Sequence, residues 1–552
     1  MKTKRFFSIV FPFLLLALFL PVFYCVIFIG NDMNYNAEHK IDVFFSNTLF
    51  FVFAIVAFLV IGGIYYLFDR IPVNKYTVAG TVFFSLAACI LFYFVKVEIS
   101  RSIAFFGGWD CGMVSNSACW FFEGKGLGYD EYYQIYSNNV PITWLLYVLY
   151  RFSVSLNNYA YDPEFIWIQF QCIMFAAAIF FSVMTVLVIS RKTAPAILDL
   201  LVCIVLLGLC PWQVVPYTDA ASIAFPVVTV FLYVLFRQAK SGFRYIFWLL
   251  LSFVGMLGGI LKATCHIALI AVVLTELIWF LSDRKWVVEK MMGLVHRGII
   301  LCLGIFLALW CRNGIYRELD YVPDYDMQMT WSNYFYMGLN EITTGASSAD
   351  GYIIAQSYID YPREFRRQIE LNYAKDRIMN EKGGIPGTLD FWLRKQVMNF
   401  NDGTFSWFQE GAFLASEYKQ LGDSPHKEDL RNFYWLEGDE YKTFCTYSQG
   451  IWVFVMLGVI LEGVAVVVTA LRQKEKVEAL YLRIVQILIF IGVFLFVMLF
   501  EGRARYLLNN VPVFVTMAAF GYSEAVREFD NYLKKAAGRL KRSRTTDHVI
   551  LQ

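Results

Sequence analysis

The sequence predicts an all-α integral membrane protein of about twelve transmembrane helices (about 10–14), carrying a mixed, mostly helical extracytoplasmic subdomain. Three observations predict this class. Of the 552 residues, 58% are apolar and only 17% charged, against roughly 25% charged in a soluble domain. Apolar runs recur at the length that crosses a bilayer, about 20 residues at 1.5 Å rise each. Lys and Arg fall in every second connection, as the positive-inside rule requires.

Residues 1–76 read as an additional N-terminal transmembrane hairpin, Phe6–Phe28 and Leu49–Phe68. The first run is long and lacks a small-residue cleavage site, so it reads as an anchor. Residues 77–312 form the transmembrane core, with spans at Thr77–Val95, Phe165–Ile189, Ala196–Cys210, Ala221–Phe236, Tyr245–Leu261, Ala263–Leu281 and Gly298–Cys311. An outer loop, 97–164, separates the first two of these. Residues 313–449 are far longer than a connection needs to be. They contain helical stretches at Pro362–Glu381 and Leu389–Asn399, with turns at Gly383-Gly384 and Asp402-Gly403. Residues 450–526 bring three more spans, Gly450–Ala470, Ile484–Phe500 and Val511–Val526, and 527–552 form a basic cytoplasmic tail.

Cations set the orientation. Arg5, Arg70, Lys192, Arg237, Arg244, Arg284, Lys285, Arg297, Arg472, Lys474, Lys476 and Arg483 all fall on the side of the N-terminus. Both termini are therefore expected in the cytoplasm of a multi-pass plasma-membrane protein. A net charge of +2 gives no case for nucleic acid. Most of the eleven cysteines lie inside spans, where cysteine packs as a small apolar residue. Five histidines without suitable pairs argue against a zinc site. The long segment 313–449 has no Gly-rich phosphate loop and no Gly-x-Ser-x-Gly elbow.

The residues that could carry chemistry sit at span exits. Asp110 follows the third span within Trp109-Asp110-Cys111-Gly112, flanked by Gly107 and Gly108. Glu123 and Asp130 are nearby acids, and Tyr136, Asn138 and Asn139 supply the aromatic and amide groups that suit a saccharide. An amphipathic stretch, Thr143–Leu156, reads as a helix at the membrane surface. Asp219, in Pro216-Tyr217-Thr218-Asp219, stands at another outer edge. Two such acids suit acid/base work or a shared cation; the alternative use of each is to cap a helix. Lys262 and His266 are four apart, which places them on one helix face, and a lysine there needs an anion or a route to the headgroups. Arg503 and Arg505, in Glu501-Gly502-Arg503-Ala504-Arg505-Tyr506, suit contact with phosphate. Trp331, Trp392, Trp407 and Trp435 offer sugar-stacking faces or, alternatively, a subdomain core.

These pieces together resemble the GT-C class of polytopic glycosyltransferases, the protein O-mannosyltransferase-like and aminoarabinose-transferase-like families. The similarity is strongest to an uncharacterised bacterial branch with a Tyr-Pro-Asn-Asn element, where this chain has Tyr136-Ser137-Asn138-Asn139. Met337–Asn340 and Asp402–Trp407 resemble the same branch, and the likeness covers about residues 77–525. It implies Asp110 as catalytic base or acceptor-binding group, with Asp219, Glu123 or Asp130 as the second acid. It implies Lys262, Arg503 and Arg505 on the phosphate of a polyprenyl-phosphate sugar, and Trp109, Tyr136, Asn138, Asn139 and Tyr217 around the substrate. Some members use a divalent cation, for which Asp110 and Asp219 would be the ligands. The implied function is transfer of a monosaccharide from a lipid-linked donor to a surface glycan or cell-wall polymer on the outer face of the membrane. The implied partners are that donor, the glycan acceptor and membrane lipids. A transporter or flippase of lipid-linked saccharides is the first alternative, and it should show midplane charges and repeat symmetry. A polymerase or ligase is the second, and it need not use an acid at Asp110.

Overall fold

The computed structural model describes residues 2–29, 46–69, 71, 73–156, 162–240, 242–282, 288–347, 349–407, 419, 421, 424–472 and 477–550. Arg70, Arg284, Lys285, Lys474 and Lys476 lie outside the described residues. Among the described residues the regular elements are helical and no β-strand occurs. In chain order the first thirteen helices are α1 (Lys2–Tyr24), α2 (Asn47–Phe68), α3 (Lys75–Ile103), α4 (Trp109–Phe122), α5 (Asp130–Ile135), α6 (Val140–Ser155), α7 (Phe165–Ser190), α8 (Thr193–Leu209), α9 (Thr218–Ala221), α10 (Phe225–Gln238), α11 (Phe243–Leu261), α12 (His266–Leu281) and α13 (Val288–Glu318). The remainder are α14 (Trp331–Met337), α15 (Ala349–Ser357), α16 (Arg363–Asp376), α17 (Ile385–Phe400), α18 (Lys427–Tyr434), α19 (Tyr441–Arg472), α20 (Val477–Leu499) and α21 (Val511–Ile550).

Among the described residues nine helical segments are long and apolar enough to cross a bilayer, and shorter apolar helices cover Asn47–Gly63 and Thr193–Leu209. Local sequence explains where several start. Asn74 accepts from the backbone N–H of Thr77 while the Thr77 hydroxyl accepts from that of Asn74, a capping box that opens α3. Prolines stand at the first turns of α6, α10 and α17, where a missing N–H costs nothing.

Close helix crossings rest on small residues. A Cβ on Gly521 would lie 2.2 Å from the Gly458 carbonyl, so α19 and α21 approach backbone to backbone. Beside that crossing Arg483 of α20 donates from Nε and Nη2 to the two oxygens of Glu462 on α19, at 2.7 and 2.5 Å. Both side chains are buried, and a paired, doubly bonded charge is the form in which an ion is tolerated there.

The two ends of the bundle differ. At one end Arg237 and Arg297 converge on buried Glu276, Lys192 pairs with Asp69 at 2.7 Å, and Arg472 with Glu528 at 2.8 Å. At the other end the short elements α4, α5, α9, α14 and α15 help to line a large cavity.

One expectation changes. Lys262 and His266 do not share a helix face: α11 stops at Leu261, Lys262 is extended (φ −147°, ψ 120°), and α12 begins at His266. Lys262 is thus the tip of a helical hairpin, and the His266 ring packs onto the bare Cα of Gly259. The helices that flank the segment 313–449 extend into it, α13 running to Glu318 and α19 beginning at Tyr441. The predicted helices at 362–381 and 389–399 appear as α16 with a π turn to Glu381, and as α17.

The segment between α13 and α19 is knitted to the end of α20. Glu501 N–H donates to the Tyr334 carbonyl at 2.8 Å and Gly502 N–H to that of Gly345 at 3.0 Å. Buried Lys395 donates from Nζ to the carbonyls of Gly338 (2.9 Å), Met498 (3.2 Å) and Phe500, the last two at the C-terminal end of α20.

Candidate active site

A tight turn after α3 presents Asp110. Gly108 precedes the first turn of α4, and Trp109 has a positive φ of 35°. Side chains are excluded nearby: a Cβ on Gly107 would lie 2.5 Å from Cys111 Sγ, and one on Gly112 2.4 Å from the Gly107 oxygen. Asp110 is the second residue of α4, where the helix dipole favours an anion. It is no cap. Its oxygens accept instead from Tyr132 Oη at 2.9 Å and Tyr217 Oη at 3.2 Å. Asn139 organises both tyrosines, donating from Nδ2 to Tyr132 Oη at 2.6 Å while its Oδ1 lies 3.1 Å from Tyr217 Oη. Burial, and then the Asp110 carboxylate, push both phenols above their ordinary range. They therefore stay protonated donors, and Asp110 is held in place as an acceptor with one face toward the cavity.

That cavity has a volume of about 1420 Å³ and is lined by residues of both the long apolar helices and the segments that connect them. Its second wall is cationic. Asp219, only 2% exposed, lies 2.9 Å from Lys262 Nζ and 3.5 Å from Arg505 Nε. As with Asp110, the capping alternative fails: α9 has no side-chain cap, and the carboxylate faces these cations. Aromatic rings hold the cations in position. Lys262 Nζ is 4.5 Å from the Tyr506 ring centre, and the Arg505 guanidinium is 5.4 Å from that of Trp212. Asn509 fixes α9 from behind, donating to the Asp219 carbonyl at 2.9 Å and to Ser222 Oγ at 2.6 Å.

Asp402–Trp407 turns out to support this wall. Asp402 accepts from the N–H groups of Thr404 (2.8 Å) and Ser406 (2.7 Å), winding Phe405 and Ser406 into positive φ, 56° and 65°. The turn aims Ser406 Oγ at the Arg505 N–H, 3.3 Å away, and the Phe405 carbonyl at Trp212 Nε1, 2.8 Å away. Trp407 and Trp435 are buried in the core, whereas Trp331 lines the cavity.

Of the residues singled out from sequence, Trp109, Asp110, Asp130, Tyr136, Asn138, Asn139, Tyr217, Lys262, Arg503 and Arg505 all line this one cavity. Asp219 lies directly behind its cationic wall. Glu123 is elsewhere, turned to Lys125 at 2.5 Å. Sequence reasoning missed Tyr132 as the donor to Asp110, Asn509 as the prop for α9, and Tyr334 and Tyr352 as cavity walls. Tyr132 carried a signal, lying four residues before Tyr136; the others are brought in by contacts between distant segments.

No curated protein and no solved structure matches the chain. A protein-family model described as "conserved hypothetical integral membrane protein" matches residues 1–526, so the N-terminal hairpin lies inside the family's own domain. By a match over nearly its whole length, the chain belongs to that family of integral membrane proteins.

Proposed function

We propose that this is a membrane glycosyltransferase with about twelve spans, both termini in the cytoplasm and its cavity on the outer face. It moves a monosaccharide from a polyprenyl-phosphate donor to a surface glycan or cell-wall polymer. One observation carries the reading: a carboxylate held by two phenols, Asp110, shares a cavity with a cationic wall built on Asp219, Lys262 and Arg505.

In this reading the donor phosphate sits against Lys262 and Arg505, with Arg503 at the same wall. Asp110 takes the proton of the attacking acceptor hydroxyl as its oxygen bonds to the sugar's anomeric carbon. The bond from that carbon to the phosphate oxygen breaks, and the polyprenyl phosphate leaves with the electron pair. Cations preset at the leaving group stabilise the charge as it develops. Tyr132 and Tyr217 keep the base oriented. A divalent cation does not fit between the two acids, because both oxygens of Asp219 already face cationic nitrogens. Among the described residues no three His, Cys, Asp or Glu side chains gather as metal ligands.

The test compares lipid-linked and cell-wall glycans in cells with wild-type protein, no protein, or Asp110→Asn. Loss of the same sugar in the null and the variant supports transfer. Loss in the null alone moves the assignment to transport or polymerisation.

A further inference from the structure

Glu501 stands in the cavity wall without a counter-ion among the described residues. Its backbone is fixed by Tyr334, and Oε1 accepts from Tyr506 Oη at 2.9 Å. Lys395, which interacts with it electrostatically, donates to the carbonyls of Gly338, Met498 and Phe500. The carboxylate is therefore oriented and left half-exposed to the cavity. Around it are Tyr136 and Tyr334, both raised above the ordinary phenol range by burial and in part by Glu501 itself.

An ionised carboxylate only accepts hydrogen bonds, so whatever it binds must donate. A cationic ligand is disfavoured, since Lys262, Arg503 and Arg505 line the same cavity. A neutral polyol is the donor that remains, and aromatic faces beside a carboxylate suit its alternating C–H and O–H surfaces. Position agrees with this. The Tyr506 ring carries Lys262 on its face and Glu501 on its hydroxyl, so the carboxylate stands about one tyrosine ring from the phosphate-binding cation.

We propose that Glu501, with Tyr136 and Tyr334, forms the subsite that grips adjacent hydroxyls of the donor's neutral sugar and so selects which sugar is transferred. This rests on the glycosyltransferase reading and assigns the sugar-recognition residue within it.

The test uses full-length protein in lipid nanodiscs and measures binding of two kinds of probe. One is undecaprenyl phosphate; the other is undecaprenyl phosphate bearing glucose, mannose or galactose. Wild type should bind at least one glycosylated carrier about tenfold more tightly than the bare carrier, the scale of a hydrogen bond to a charged group. Glu501→Gln keeps an acceptor for Tyr506, so it should fold, retain bare-carrier affinity and lose the preference. Glu501→Asp, which withdraws the charge by one methylene, should weaken the preference, whereas Asp110→Asn should retain it. A preference that survives in Glu501→Gln, or its absence from wild type, overturns the subsite. Carrier binding with no transfer by wild type would instead overturn the glycosyltransferase reading and leave the sugar preference standing.

Discussion

The Arg505 guanidinium lies 4.8 Å from the centre of the Trp109 ring, so the residue before Asp110 forms part of the seat of a cation from the far end of the chain. The base side and the cationic side of the cavity are therefore one packed unit. Trp109 also meets Tyr217 edge to face, with ring centres 5.1 Å apart, and Tyr217 reaches back to Asp110. A change at either wall should be felt at the other.

Asp110→Asn removes the base while leaving one oxygen to accept from Tyr132, with Tyr217 still able to donate to Asn139 Oδ1. Sugar transfer in vesicles should fall about 10²–10⁴-fold, with an unchanged melting temperature. Transfer at the wild-type rate would remove Asp110 from the mechanism.

Arg505→Ala should weaken binding of a polyprenyl-phosphate donor far more than it weakens binding of the acceptor. Steady-state kinetics varying each substrate in turn gives the comparison, and equal losses for both would argue against a role at the donor phosphate. Arg505→Lys should rescue only in part, because a lysine cannot reproduce the planar guanidinium stacked on Trp109 and Trp212.

Asp219→Ala leaves Lys262 and Arg505 without their shared counter-charge. Breaking a buried pair from one side costs about 3–5 kcal/mol, so the variant should melt well below wild type in detergent. Asp219→Asn, of equal size, should lose most of the same stability if charge is what matters; a melt near wild type would make Asp219 a mere spacer.

Lys395 gives a pH signature. Burial lowers its folded-state value from 10.5 to about 7, so between these pH values the unfolded chain holds a proton that the folded protein does not. Stability should therefore rise as pH increases from about 7 toward 10. Comparing thermal melts of wild type and Lys395→Met should show that this component of the slope disappears in the variant, whatever the variant's absolute stability.

Cysteines placed at Val322 and Asp130 should react with a membrane-impermeant reagent added outside intact cells, and those at Asn74 and Arg527 only after permeabilisation. Any other division breaks the proposed orientation.

Much of the plan was legible because hydropathy is a local signal. Span-length apolar runs mark α3, α7 and α19 directly, and Pro141 marks the start of α6. That Asp110 and Arg505 belong to one cavity was legible since both stand at span ends beside glycines or other charges. Membership was not legible for Tyr334 or Glu501, whose adjacency comes from backbone pairing between segments far apart in sequence. Lys262 misled for a physical reason. Its spacing to His266 fits one helical face, but the chain reverses at Lys262, so helical spacing no longer applies there.

The contact between Asp219 and Arg505 has a consequence for how the protein is made. Asp219 is synthesised and inserted long before Arg505, which follows α20 near the end of the chain. Until that late segment arrives, the buried carboxylate has only Lys262 beside it, and the Ser406 turn has no Arg505 backbone to hold. The cationic wall is thus completed only as the final helices enter the bilayer, and a chain truncated before α20 would insert most of its helices yet lack the arginines of this wall.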